Sequence, residues 1–338
     1  MKRASPFLIL FLFLAAALPA QTYKVSGTIP IPGDSGWDYL LADGDSRVLY
    51  VSHGIEVILL DLDSEKITGK IEGMKRIHGI ALAHEFNRGF ISDGGSDEVV
   101  VFDFKSHQVL DKVKTGMNPD GILYDPASQR VFAFNGRSSN ATAIEAKSGK
   151  VAGTIPLDGK PEFPVSDGHG NVYVNIEDKS EIQRIDPKTL KVTATWSIAP
   201  CQEPSGLAID VKSHRLFPVC DNQKMAVVDA SSGKVVTTVP IGDGPDAAYF
   251  DPDKRLVFSS NGAGTLTVVK QESADKYSVV DNVKTERSAR TMAMDPKTRK
   301  IYLPAASFGE APAPTADNPH PRPKMVPGTF HLVVVSAS

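Results

Sequence analysis

Val25-Ser26-Gly27-Thr28-Ile29-Pro30-Ile31 returns almost letter for letter as Val151-Ala152-Gly153-Thr154-Ile155-Pro156-Leu157. It returns again as Val235-Val236-Thr237-Thr238-Val239-Pro240-Ile241. Each internal copy closes a unit of about 42 residues, the spacing of a four-stranded β unit in a circular array. The last unit, which begins near Thr291, reaches Ser338 without a copy of its own. The two ends therefore complement each other. The N-terminal copy is expected to complete the last unit and shut a ring, which leaves no open sheet edge to aggregate.

The units read in register. Each opens with a short strand of small apolar residues, such as Ile80-Ala81-Leu82-Ala83, Leu207-Ala208-Ile209 and Ala247-Ala248-Tyr249. A turn follows, often Asp-Pro (Asp125-Pro126, Asp251-Pro252, Asp295-Pro296), where Pro presets φ and Asp bonds the turn backbone. The second strand alternates from a basic residue, as in Arg130-Val131-Phe132-Ala133-Phe134. The third ends on Asp61, Asp103, Glu145, Asp186 or Asp229, with steps of about 42 residues, and these acids read as turn formers. Unit starts near Tyr39, Gly79, Gly121, Phe163, Gly206, Ala247 and Thr291 predict an all-β, seven-bladed propeller over residues 21–338. Blade six departs from the pattern, with Lys270 in the acid position and a longer hairpin through Ala274-Asp275-Lys276. Blade seven carries a Pro-rich insertion at 309–328, expected to lie outside the sheet as an extended loop.

The repeat resembles the YVTN-type, YncE-like family of exported bacterial seven-bladed propellers. Pro204-Ser205-Gly206-Leu207-Ala208-Ile209-Asp210, Asn261-Gly262-Ala263-Gly264-Thr265-Leu266-Thr267-Val268 and Ala289-Arg290-Thr291-Met292-Ala293-Met294-Asp295-Pro296 carry the resemblance. It covers nearly the whole chain after the leader. The literal Tyr-Val-Thr-Asn tetrapeptide is absent and survives as Tyr173-Val174-Asn175. Trp37-Asp38 precedes a first strand, so the repeat is not of the WD type. The resemblance implies a fold, and the fold hosts binding modules, scaffolds and enzymes alike.

Residues 1–20 read as a secretory leader: Lys2 and Arg3, an apolar run from Phe7 to Ala17, then Ala-Leu-Pro-Ala. A periplasmic or secreted protein with no membrane span after cleavage is expected. Without Lys2 and Arg3 the 37 basic residues fall to 35 against 40 acidic, a net charge of −5. That field disfavours nucleic acid and anionic membranes. Cys201 and Cys220 lie in two loops of one blade on one face and are expected to form a disulfide in an exported protein. A closed ring without edges is expected to be a monomer.

The residue just before each first strand should point at the mouth of the central channel. In register these are Asp38, His78, Asp120, Glu162, Ser205, Asp246 and Arg290. A wider set comes from the loops between second and third strands: His53, Asp93, Asn135, Asn175, Asp221 and Asn261. Acids converging on an axis suit a divalent cation, which wants several oxygen ligands at once, or a cationic or polyhydroxylated ligand. They equally suit bonding to water and to free N–H groups at strand starts. Two functions follow. One is a binding module that takes a small molecule, metal ion or protein partner on the channel face. The alternative is a metal-dependent hydrolase of the gluconolactonase type, its metal activating water or polarising a lactone carbonyl. Binding of single-stranded nucleic acid would need a basic groove with stacking aromatics; the acidic mouth argues against it, while the resemblance to YncE-like proteins keeps it as a third reading.

Overall fold

Short alternating segments separated by Asp-rich turns can bury both faces only by stacking on copies of themselves. In the computed structural model, which describes residues 22–313, 315 and 321–338, they form seven four-stranded antiparallel sheets. The leader at 1–20 lies outside the described residues, as does part of the insertion. The innermost strands of blades one to seven are Trp37–Asp43, Ile77–Ala83, Pro119–Asp125, Pro161–Ser166, Pro204–Asp210, Pro245–Asp251 and Ala293–Met294. The middle strands are apolar on both faces because a neighbouring blade covers each side; Leu49, Tyr50 and Val51 have no exposed surface. Seven apolar clusters result, one between each pair of adjacent blades.

The ring closes as the repeat predicts. Strand Tyr23–Pro30 pairs antiparallel with His331–Ala337, from Tyr23 opposite Ala337 to Pro30 opposite His331. It forms the outer edge of blade seven. Its alternation serves two interfaces. Tyr23 packs edge-on against Phe258 of blade six at 5.2 Å, whereas Ile29 and Ile31 join the cluster shared with Leu49 and Leu60 of blade one.

Two sets of polar contacts run around the ring. Near the channel, a hydroxyl or amide of one blade donates to a carbonyl of the next. Ser92 Oγ donates to Asp120 O, Asn175 Nδ2 to Ser205 O, Ser205 Oγ to Pro245 O and Thr291 Oγ1 to Asp38 O. On the opposite face, the Asp that ends an innermost strand accepts from the next blade. Asp125 accepts from Ser166, Asp210 from Gln271, Asp251 from Arg299 and Asp295 from Arg47. The last of these joins blade seven to blade one. The acids ending third strands form turns as expected; Asp61, Asp103 and Asp229 accept from the amides of Ser64, Ser106 and Ser232.

The insertion leaves between Ile301–Ala305 and His331–Ala337, the second-to-third-strand connection of its blade. Its base is anchored: Gly309 N–H donates to Lys324 O, Gly328 N–H to Asp34, and Phe308 meets Trp37 at 6.1 Å. Cys201 and Cys220 stand at disulfide-bonding distance, with a Cα–Cα separation of 5.7 Å. Among the described residues no helix is long and apolar enough to cross a membrane.

Candidate functional site

In six blades the innermost strand begins with a matched pair, then slips. Trp37 faces His53, but the next paired residue is Leu40, opposite Val51. The same irregularity follows Ile77, Pro119, Pro161, Pro204 and Pro245. A β-bulge re-aims the side chains it carries, here toward the axis. This corrects the sequence expectation in one respect. Asp38, His78, Asp120, Glu162, Ser205 and Asp246 are the second residues of their strands, not residues ahead of them. Arg290 does precede its strand, because pairing in blade seven is confined to Ala293 and Met294.

The residue after each ring position forms the floor. In order these are Tyr39, Gly79, Gly121, Phe163, Gly206, Ala247 and Thr291. The glycines are required by close approach: a Cβ on Gly121 would stand 2.5 Å from Glu162 O, and one on Gly206 2.6 Å from Ala247 Cα. Small residues at these places leave the axis to two large ones. Tyr39 of blade one and Phe163 of blade four meet edge to face at 5.0 Å. Neither was recognised as a site residue from sequence, although both stand out in a register otherwise made of Gly, Ala and Thr.

Above this floor His78 Nδ1 lies 2.6 Å from Asp38 Oδ2 and 3.5 Å from Asp120 Oδ1. Asp246 Oδ2 meets Arg290 Nη1 at 3.0 Å, and Glu162 Oε1 meets Lys160 Nζ at 2.6 Å. Lys160 also bridges to Glu177. These two partners were missed, though Lys160 stands only two residues before Glu162. Ser205 uses its hydroxyl on Pro245 O and contributes no charge. Beside Ser205, Asp246 and Arg290 the face opens into a cavity of about 480 Å³ that Glu177, Glu203 and Asp221 also line.

Burial and mutual repulsion set the electrostatics. Burial pushes Asp246 up to about 7; Arg290 pulls it down, and the charges of Asp38 and Asp120 push it further up. Burial also raises Glu162, helped by Asp120 and opposed by Lys160. Burial raises Asp120 too, against the pull of His78. For His78 burial lowers the pKa, but the Asp38 hydrogen bond and the Asp120 charge outweigh it and the net movement is upward. Tyr39 is held well above its usual range by burial and by the charges of Asp120, Glu162, Asp38 and Asp246.

The wider set behaves differently. Asn135, Asn175 and Asn261 are fully buried. Asn135 donates to Asn140 and Thr142, and Asn261 to Thr265 and Thr267, within their own blades. Asn175 sits one register position earlier than the other two and donates across to Ser205 O and Gly206 O. Asn135 and Asn261 thus spend their amides within their own blades, and Asn175 reaches the ring only through the backbone carbonyl of Ser205. Asp93 accepts the amides of Lys75 and Arg76, and His53 stacks on Phe330 at 4.7 Å. Asp221 alone of the wider set lines the cavity.

No family model matches the chain. The protein YncE of Salmonella typhi is 25% identical over 186 residues, 52% of this chain and 51% of that protein. YncE of Escherichia coli K12 is 27% identical over 156 residues, 42% of this chain and 44% of its own. The aligned region thus spans about half the length of these curated relatives. Among solved structures, a chain of the Kuenenia stuttgartiensis hydrazine synthase superposes with a TM-score of 0.72 at 15% identity, over 81% of this chain and 94% of its own. A chain of the mitotic checkpoint complex gives 0.76 at 12% identity, over 99% and 98%. At such identities the likeness is one of fold.

Proposed function

The chain is a YncE-like seven-bladed β-propeller, and we propose that it is an exported binding module whose channel mouth takes a small cationic ligand, either an amine or a metal ion. One observation carries this reading: four carboxylates, Asp38, Asp120, Glu162 and Asp246, are drawn together over the Tyr39–Phe163 floor. Burial in company raises the pKa of Asp246 and Glu162, so a bound positive charge would relieve repulsion that the fold itself creates. The neighbouring cavity of about 480 Å³ has the size of a small-molecule site. Export is supported by the leader-like residues 1–20 and by the Cys201–Cys220 pair.

The test is thermal shift of the mature chain with diamines, polyamines, basic amino acids and divalent ions. A ligand present at about 100 times its Kd should add about 2.7 kcal/mol to stability. The shift should shrink in Asp120→Asn for a metal ion and in Asp246→Asn for an amine. If no member of the panel shifts the melt, or both variants respond like wild type, the cationic reading of the mouth fails.

A further inference from the structure

We propose that Asp38, His78 and Asp120 together bind one divalent first-row transition-metal ion at the channel mouth. The inference rests on the cationic reading of the mouth and narrows it to three side chains. Two of the four ring acids have a cation of their own, Asp246 with Arg290 and Glu162 with Lys160. Asp38 and Asp120 instead share a single imidazole, and His78 Nδ1 faces both. One ligand atom from each of the three lies within 4.8 Å of the others, so small side-chain rotations bring all of them onto a common centre at about 2.1 Å. Two carboxylates and a neutral imidazole carry two negative charges, which a divalent ion balances.

The carriers of these groups are rigid. Asp38 N–H donates to Ser52 Oγ, and its carbonyl accepts from Thr291 Oγ1, both at 2.8 Å. The carbonyl of Asp120 accepts from Ser92 Oγ at 2.6 Å. All three hydroxyl residues are fully buried, and together they draw on blades one, two and seven to hold ligands on blades one and three. His78 is itself 97% buried, 3% exposed, and its Nε2 has no protein partner. That nitrogen faces Gly94, where a Cβ would stand 2.7 Å from it and 2.9 Å from Asn118 Oδ1. The imidazole is thus held in a buried pocket with its other ring nitrogen, Nδ1, turned to the two acids.

The donor set selects the class of metal. An imidazole with two carboxylates suits zinc, iron, cobalt or manganese. Calcium wants six to eight oxygens, and magnesium keeps much of its water, so neither gains from His78. A second group, Asp43, Asp45 and His84, shows comparable spacing. There, however, Asp43 is engaged by Ser46 and by the Asp45 amide as a turn former, and Asp45 and His84 are exposed. It serves as the internal comparison.

The experiment uses untagged mature chain, stripped with chelator and titrated with Co2+ under visible absorption, then with Zn2+ in competition. One equivalent should bind, with bands of a mixed nitrogen and oxygen site. His78→Ala and the isosteric Asp120→Asn should each weaken Co2+ by at least the ~10–100-fold that loss of an outer contact costs. His84→Ala should leave the affinity unchanged. Circular dichroism confirms folding, and Asp120→Asn carries the test should His78→Ala not fold. Absence of stoichiometric Co2+ binding overturns the proposal, as does wild-type affinity in both mouth variants or loss only in His84→Ala. If amines stabilise the protein but Co2+ does not bind, this inference falls and the general reading of the mouth stands; if neither binds, both fall.

Discussion

Replacing Arg47 by Met should loosen the seam between the first and last blades. Arg47 Nη1 and Nη2 grip the Oδ1 and Oδ2 atoms of Asp295 at 2.6 and 2.8 Å, a two-point contact across the place where the ring shuts. Asp295 is fully buried. Burial alone would raise its pKa, yet hydrogen bonds from Arg47 and Thr298 hold it down to about 2 from 3.8. That fall corresponds to about 2.4 kcal/mol, of which Thr298 and the Lys297 amide supply a part. Breaking a buried pair while leaving one charge behind typically costs about 3–5 kcal/mol. The expected loss at pH 7 is therefore about 2–4 kcal/mol. The sign with pH follows from the depressed pKa. The contribution is full above 3.8 and is lost as pH falls toward about 2, so wild type and variant should converge over that window. Urea titrations at pH 7, 3.5 and 2.5 would measure this, alongside Asp295→Asn and the double variant. A coupling of more than about 1 kcal/mol is expected between the two positions. A loss under about 0.5 kcal/mol at pH 7, or strictly additive single effects, would refute the assignment of this pair to ring closure.

Three further outcomes are expected. Deleting residues 22–31 should remove Tyr23, Ile29 and Ile31 from two interfaces and bare the edge of His331–Ala337. At about 1.5–3 kcal/mol for each buried apolar side chain, this approaches the whole stability of a typical domain. Gel filtration should show aggregates, and a monomer with an unchanged melt would contradict closure by this strand. Native protein made in an oxidising compartment should yield no free thiol from Cys201 or Cys220, and reducing the bond should cost about 3 kcal/mol for its 19-residue separation. Quantitative labelling of both thiols without reductant would rule the bond out. Asp246→Asn should change the pH profile. A partly buried carboxyl raised to about 7 makes wild type lose stability as pH climbs from 3.8 through 7, and the amide should flatten that decline. An identical profile in the variant would remove Asp246 from the electrostatics of the mouth.

Much of the architecture was legible because propeller pairing is local. Each strand bonds to the next in sequence, so alternation, turn acids and a 42-residue step all appear as text. The missing outer strand after His331–Ala337 revealed closure by Tyr23–Pro30 for the same reason: one absent repeat has one candidate. Within the ring register His78 meets Asp38 and Asp120, and Asp246 meets Arg290. What register could not reveal was direction. Asn135 and Asn261 occupy equivalent places to His53 and Asp93, yet all four are buried in their blades rather than turned to the mouth. Alternation assigns a side chain to one of two faces only while pairing is regular, and the bulge after the first residue of the inner strand in six blades suspends that rule.

The sequence by itself determined the number of blades, the strand that closes the ring, the pairing of Cys201 with Cys220 and the positions from which side chains approach the axis. Only the tertiary structure decided which of those side chains meet. Tyr39 finds Phe163, Asp38 finds His78, and Arg47 finds Asp295 across gaps in sequence that no local pattern spans. Such contacts depend on the curvature of the closed ring and on the space that Gly79, Gly121 and Gly206 leave at its centre, quantities that exist only once all seven blades have packed.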